Sequence, residues 1–354
     1  MIDWTLLHGG ALGDLVLTVQ LALRLPRVRA GSTLRLVSRV DPGDLSNCWP
    51  PIERVSPEGL GVHWLYGEGD ESPPRRLREL VAGRRVLNAL GDVGSRVHRR
   101  LLALGARAVY SFDPRPKPGL DVHITKQWQH ELEQQGLLFP KCTYQGRGTS
   151  TLFVPDGMRE RGRALWKQVS DSRQSTAGTE TGCYSPTAGG GTGRYSPTAG
   201  TETGRDIADS APILIHPGSG GRAKCWPLRC FLDVGRRLQE TGREVCFVVG
   251  PVEVDRWAAA DLHAIRVEFP LTECPGPDEL LSLLAAGLTL ISNDVGPAHL
   301  ASLLGTPTLT IFGPTSATLW RPLGMKARVI QRNPKSHPED WGIDPRRVVE
   351  EVTI

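Results

Sequence analysis

Residues 211–250 read APILIHPGSGGRAKCWPLRCFLDVGRRLQETGREVCFVVG, and this stretch decides the fold. An apolar run, APILI, enters a loop with three glycines and a serine. PLRCFLDVGRRLQETG follows with helical spacing, Pro227 near its first turn and Gly242 after its last. EVCFVVG then reads as a buried strand. Strand, helix and strand with continuous apolar strands describe a parallel sheet covered on both faces.

The pattern continues outward in both directions. EVDRWAAADLH and GPDELLSLLAAG read as helices, LTLISN as a strand, DVGPAHLASLLG as a helix and TPTLTIFG as a strand. Towards the N-terminus, WTLLHGG, TLRLVSR, GVHWLY and RRVLNAL read as strands. LGDLVLTVQLALRLP reads as a helix with apolar residues on one face, and SRVHRRLLALG as a helix ended by glycine. HITKQWQHELEQQGL and PDGMRERGRALWKQV read as further helices. The same alternation on both sides of the chain's middle predicts an α/β protein of two Rossmann-like, doubly wound domains.

Between them, Ser175 to Asp206 carries an approximate threefold repeat of period 11, built on YSPTAG and TETGR. Its prolines and glycines forbid a coiled coil, and it has almost nothing apolar to bury, so disorder is expected. The domain division expected is residues 1–170, a low-complexity linker insert over 171–209, a second domain over 210–330, and a tail over 331–354 that packs back on the first domain.

The 354 residues carry a net charge of +4, with a local basic concentration from Arg75 to Arg100. This reads as a solvated face or as a contact for an anionic membrane surface; no nucleic-acid partner is expected. Seven cysteines show no CxxC or zinc-like spacing with histidine, which suits reduced thiols in a cytoplasmic protein. The N-terminal stretch lacks a basic, then apolar, leader, so export is not expected. No window approaches the ~18 apolar residues a membrane span requires.

Ligands of open α/β sheets collect at the carboxyl ends of the strands. Four stretches fall there: GGALGD (9–14), HPGSGGRAK (216–224), GPVE (250–253) and NDVGPAH (293–299). Each has two readings. Asp14 is either an acid favouring its own helix dipole or a carboxylate aimed into a cleft as a base. Lys224 is either a solvated lysine or the cation of a phosphate cradle, although the loop is not a P-loop. Glu253 is either a helix-start acid or an acceptor for ribose hydroxyls. Asp294 is either a cap or a ligand group, and His299 either a core histidine or a ligand group; together, with Gly296 at a helix start, they favour a ligand site.

In this order and spacing, the stretches resemble glycosyltransferase family 9, the heptosyltransferases of lipopolysaccharide core assembly. ALGDLVLTVQLALRL resembles the family's glycine–aspartate motif, ILIHPGSGGRAKCWPLRCFLDVGRRL its phosphate-loop segment, and NDVGPAHLASLLGTPTLTIFGPT its most specific motif. VLNALGDVGSRVHRRLLALGARAVYSFD and HITKQWQHELEQQGL add support in the first half. The resemblance implies a GT-B architecture with the two domains facing a central cleft. It implies inverting transfer of heptose from ADP-heptose to a lipid-linked or saccharide acceptor at the cytoplasmic face of the inner membrane, with no cofactor and no metal. Asp14 would be the base, with Gly13 on the acceptor side. Lys224 would neutralise the leaving diphosphate, with no DxD-type acidic pair needed. Gly218, Ser219, Glu253, Asp294, Val295, Gly296 and His299 would bind the donor. Two departures stand out: Gln20 where the family has proline, and His8 where it commonly has a basic residue. The competing readings are a sugar-nucleotide-binding protein without catalysis and a GT-B-type sugar-nucleotide epimerase.

Overall fold

A computed structural model describes residues 3–25, 28, 30–68, 72–139, 151–177, 211–335 and 340–353. The strands are β1 (Trp4–His8), β2 (Leu34–Ser38), β3 (Ile52–Val55), β4 (Arg85–Asn88), β5 (Ala108–Ser111), β6 (Ile213–His216), β7 (Val245–Val249), β8 (Leu271–Glu273), β9 (Thr289–Asn293), β10 (Thr308–Phe312) and β11 (Ala327–Gln331). The helices are α1 (Leu12–Ala22), α2 (Arg75–Val81), α3 (Arg96–Ala103), α4 (Ile124–Glu133), α5 (Asp156–Ala177), α6 (Leu228–Glu240), α7 (Pro251–Arg256), α8 (Ala259–Glu268), α9 (Pro277–Ala286), α10 (Gly296–Leu303), α11 (Ala317–Trp320) and α12 (Pro345–Thr353).

They form two wholly parallel sheets, ordered β3-β2-β1-β4-β5 and β11-β10-β9-β6-β7-β8. Numbered within its own half, the second sheet has the order 3-2-1-4-5-6 read from β8, the arrangement of dinucleotide-binding folds. The first has the same order over five strands. Every residue of β1, β6, β7 and β10 is buried, because helices cover both faces of each sheet.

Three sequence expectations need correction. GVHWLY is not a strand; Val62–Leu65 forms a short 3₁₀ turn whose Trp64 and Leu65 pack inward. A short run of apolar and aromatic residues after Gly61 fits a tight turn as well as a strand. Second, α1 is not apolar on one face only. Leu15 to Ala22 are all buried, because α1 packs against α10 of the other half as well as on its own sheet. Third, the described part of the tail packs on the second sheet and not, as expected, on the first domain. Gln331 completes β11, and α12 lies on α6 and β10, with Val348 buried and Val349 and Val352 packed into the second sheet's core.

The crossing between halves is made instead by α5. It packs along α9, buries Met158 and Trp166, and donates from Arg159 Nη1 to the Ala285 carbonyl at 2.5 Å. Residues 171–177, expected within the insert, continue this helix. The repeat beyond them, like the rest of the expected insert, lies outside the described residues. Around α5 and α1 a single apolar core runs from Trp4, Leu6 and Leu36 of the first sheet to Leu214, Cys246 and Leu290 of the second.

Candidate active site

Two helix N-termini meet where the sheets face each other. α1 follows the turn after β1, and α10 follows Asp294 and Val295 after β9. Their approach is close at a glycine on each side. A Cβ at Gly13 would stand 3.1 Å from the His299 ring, and one at Gly296 would stand 2.8 Å from the Leu12 Cβ. Neither helix has a side-chain cap: Ala11 and Val295 are extended residues that leave the first N–H groups open.

Asp14 lies in the first turn of α1 and is half-buried. Burial pushes its carboxyl above the ordinary range; Asp294 adds to the rise, while His299 and Lys224 oppose it. Those three groups all belong to the second sheet, so the structure brings the sequence-nominated acid, lysine and histidine into one electrostatic neighbourhood. Asp294 accepts from Thr315 Oγ1 at 2.8 Å through Oδ2, and its Oδ1 stands 3.9 Å from His299 Nε2. His299 is buried, and its Nδ1 has no hydrogen-bond partner among the described residues.

The glycine-rich loop after β6 is held in place rather than free. Asn293, fully buried at the end of β9, donates from Nδ2 to the Pro217 carbonyl at 2.7 Å and to that of Gly218 at 3.3 Å. Its Oδ1 accepts the Trp226 N–H at 2.8 Å. Ser219 is buried and donates to the Asp294 carbonyl at 3.1 Å. Beyond these anchors the chain turns once through Arg222–Lys224, leaving Lys224 exposed. Among the described residues its ammonium has no ion-pair partner.

Glu253 sits apart from this group. It is buried beneath the loop, its Oε2 accepting the Gly250 N–H at 2.9 Å and its Oε1 lying 2.0 Å from where a Gly218 Cβ would be. Gly218 therefore has to be glycine. Burial lowers the neighbouring His216, which Glu253 partly offsets, and Nδ1 of that ring donates to the Val248 carbonyl at 2.8 Å.

Sequence reading missed Asn293 as the staple of the loop, Thr315 as the partner of Asp294 and the buried His123, and it noted His8 only as a departure from the family pattern. An asparagine ending an apolar strand is a usable signal for the first. His123 caps α4, accepting at Nδ1 from Thr125 and donating from Nε2 to the Arg321 carbonyl of the other half at 2.9 Å. His8 ends β1, and its Nδ1 accepts the Gly10 N–H at 3.2 Å.

The arrangement offers a carboxylate on one wall, and a lysine with open helix N–H groups on the other. That is a geometry for removing a proton on one side and receiving negative charge on the other.

The family model of glycosyltransferase family 9 (heptosyltransferase) matches residues 161–341, half of the chain. Lipopolysaccharide heptosyltransferase 3 of Escherichia coli (strain K12) is 32% identical over 114 residues, 31% of this chain. The chain spans only 33% of that relative's length. The crystal structure of the glycosyl transferase family 9 from Veillonella parvula DSM 2008 superposes with a TM-score of 0.65 at 15% identity, covering 99% of this chain and 96% of that one. E. coli ADP-heptose lps heptosyltransferase II superposes with a TM-score of 0.61 at 16% identity, covering 99% and 97%. At such identities the likeness is one of fold, and that fold is the two-sheet GT-B architecture. By the extent of the family match, the chain belongs to glycosyltransferase family 9.

Proposed function

We propose that this chain is an inverting, metal-independent glycosyltransferase that moves heptose from ADP-heptose to a saccharide acceptor of the lipopolysaccharide-core type. The observation that carries the reading is that Asp14 lies within electrostatic reach of Lys224, Asp294 and His299 of the other half, with Gly13 close against the His299 ring. The names of the relatives supply the donor and acceptor class.

In the reaction, Asp14 takes the proton of the acceptor hydroxyl. The acceptor oxygen bonds the anomeric carbon as that carbon's bond to the diphosphate oxygen breaks. The electron pair leaves with the diphosphate, whose growing charge meets Lys224 and the first N–H groups of α10. These contacts strengthen in the transition state, so they act on turnover as well as binding. Gly218, Ser219, Val295 and Gly296 line the path of the diphosphate, Glu253 reads the ribose, and Asp294 and His299 hold the sugar. The elevated proton affinity of Asp14 suits a base that must hold a proton briefly.

The acceptor is carried on a lipid, and the enzyme works at the cytoplasmic face of the inner membrane. Arg75, Arg76 and Arg78 on α2 are exposed and supply the cationic contact with anionic headgroups. Among the described residues no helix is long and apolar enough to cross a membrane.

The test is a thermal-shift panel of ADP, GDP, UDP, CMP and ADP-heptose on the wild-type protein and Lys224→Ala. Stabilisation by the adenine nucleotides, lost in the variant, supports the reading. Equal response to all, or to none, sinks it.

A further inference from the structure

His8 is a buried histidine that the mechanism above leaves without a task. It is 3% exposed at the carboxyl end of β1, six residues before Asp14. Its Nδ1 accepts a backbone N–H, that of Gly10, so the neutral ring carries its proton on Nε2. Burial keeps the ring neutral, lowering its pKa to about 4. Nε2 is buried and has no hydrogen-bond partner among the described residues. A buried donor without a partner is unfavourable and rare, and its place here is specific.

Gly10 shows what it faces. A Cβ built there would stand 3.0 Å from His8 Cε1, 3.4 Å from His8 Nε2 and 3.3 Å from Asp14 Oδ2. The imidazole edge and the carboxylate therefore flank one face of Gly10, where a Cβ would sit tight against both. Among the described residues, Lys224, Asp294 and His299 act on Asp14 from the opposite half, and the Ala11 backbone N–H donates to its carboxyl from its own helix start. His8 is the titratable neighbour on Asp14's own side.

We propose that His8 is the positioning residue of Asp14: its Nε2–H is the donor onto which the Asp14 carboxylate turns, leaving the other oxygen aimed at the acceptor hydroxyl. The role rests on the transferase reading for its purpose, but the contact with Asp14 does not. Donation to a carboxylate favours the ionised form, so His8 offsets the effect of burial on Asp14 and keeps the base unprotonated at working pH. Fixing one oxygen also removes a rotational freedom that would otherwise be lost in the transition state.

Two substitutions separate this role from simple packing. His8→Asn keeps an acceptor where Nδ1 receives the Gly10 N–H but loses the distal donor. His8→Gln places an amide donor near the Nε2 position. With Asp-selective ¹³C labelling, the Asp14 carboxyl, identified by its absence in Asp14→Asn, is titrated in each protein, free and with ADP. His8→Asn is expected to raise the Asp14 midpoint by about one pH unit in at least one of those states. The kcat of transfer from ADP-heptose falls about 10-fold or more with KM unchanged, and the acid limb of kcat/KM moves to higher pH. His8→Gln returns kcat to within about threefold of wild type. An unchanged Asp14 midpoint in both states overturns the proposal, as does a His8→Gln variant no better than His8→Asn. A shifted midpoint without any transfer by the wild-type protein upholds the contact and instead rejects the assigned reaction.

Discussion

α1 and α10 both start at the cleft, one from each half, and they use that start in opposite ways. Each begins directly after an inner strand of its sheet, each has an extended N-cap residue without a side-chain cap, and each is buried along most of its length. A helix N-terminus carries partial positive charge and unpaired N–H groups. α1 fills its own with a carboxylate, Asp14. α10 has no acid in its first turn, and the Asp294 just before it is held aside by Thr315. One end supplies negative charge to the cleft and the other receives it. Two uncapped helix starts, one from each half, thus yield the two walls that an acid–base transfer with an anionic leaving group needs.

The largest test of this contrast is on the charged end. Asp14→Asn is expected to lower transfer by roughly 10²–10⁴ in kcat, measured with saturating donor and acceptor. The same variant should melt at a higher temperature than wild type near pH 7.5. The folded-state pKa of Asp14 is raised, so its ionised form opposes folding above that pKa, and the cost vanishes as pH falls below its unfolded value. A variant that is slow but no more stable would mean that Asp14 carries no burial cost. On the receiving side, Lys224→Ala should lower kcat about 10²-fold, read in the same assay.

A geometric break comes next. Gly296→Ala and Gly13→Ala each force a Cβ against the other half and should lower unfolding free energy by about 1–3 kcal/mol in urea titration. Gly296→Ala should be the worse, because its neighbour at 2.8 Å is Leu12 close to the backbone, whereas the His299 ring can turn. The reverse order would mean that the ring is the less yielding of the two.

The pH dependence of stability sharpens the picture further. His8 and His123 are held neutral at about 4, against 6.5 when unfolded. Each favours folding fully above pH 6.5, and that contribution is lost progressively as pH falls towards 4. Denaturation midpoints between pH 7 and 4 should therefore decline, and His8→Asn with His123→Asn should flatten the decline. The smallest effect expected is on the outer face, where charge reversal of Arg75, Arg76 and Arg78 should weaken sedimentation with anionic vesicles a few-fold and leave turnover on a soluble acceptor unchanged.

Much of this was legible in sequence because parallel strands buried on both faces leave continuous apolar runs. WTLLH, ILIH, VCFVV and TLTIF all declared themselves that way. The stretches around Asp14, Lys224 and Asp294 were legible because ligand chemistry collects at strand ends. What was not legible depended on contacts between distant segments. α2 is short and rich in arginine, with only Leu77 and Val81 buried, so its sequence reads as charge before it reads as helix. Burial all round α1 reflects α10, some 280 residues away. The direction taken by α12 is set by which groove accepts Val348, and its own amphipathic pattern fits more than one surface. Asn293 shows the same limit, since its importance lies in Pro217, Gly218 and Trp226.

The core shared by the two sheets has a consequence for cooperativity. Chains with two sheets often carry two melting units, each with its own enthalpy. Here Leu6 and Leu36 belong to the same packed cluster as Leu214 and Leu290, and α5 and α1 are wedged within it. Neither half can lose its order without exposing the other's interior. Calorimetry should therefore return one endotherm whose van't Hoff and calorimetric enthalpies agree, and a nucleotide that touches only the second sheet should stiffen the first to the same degree.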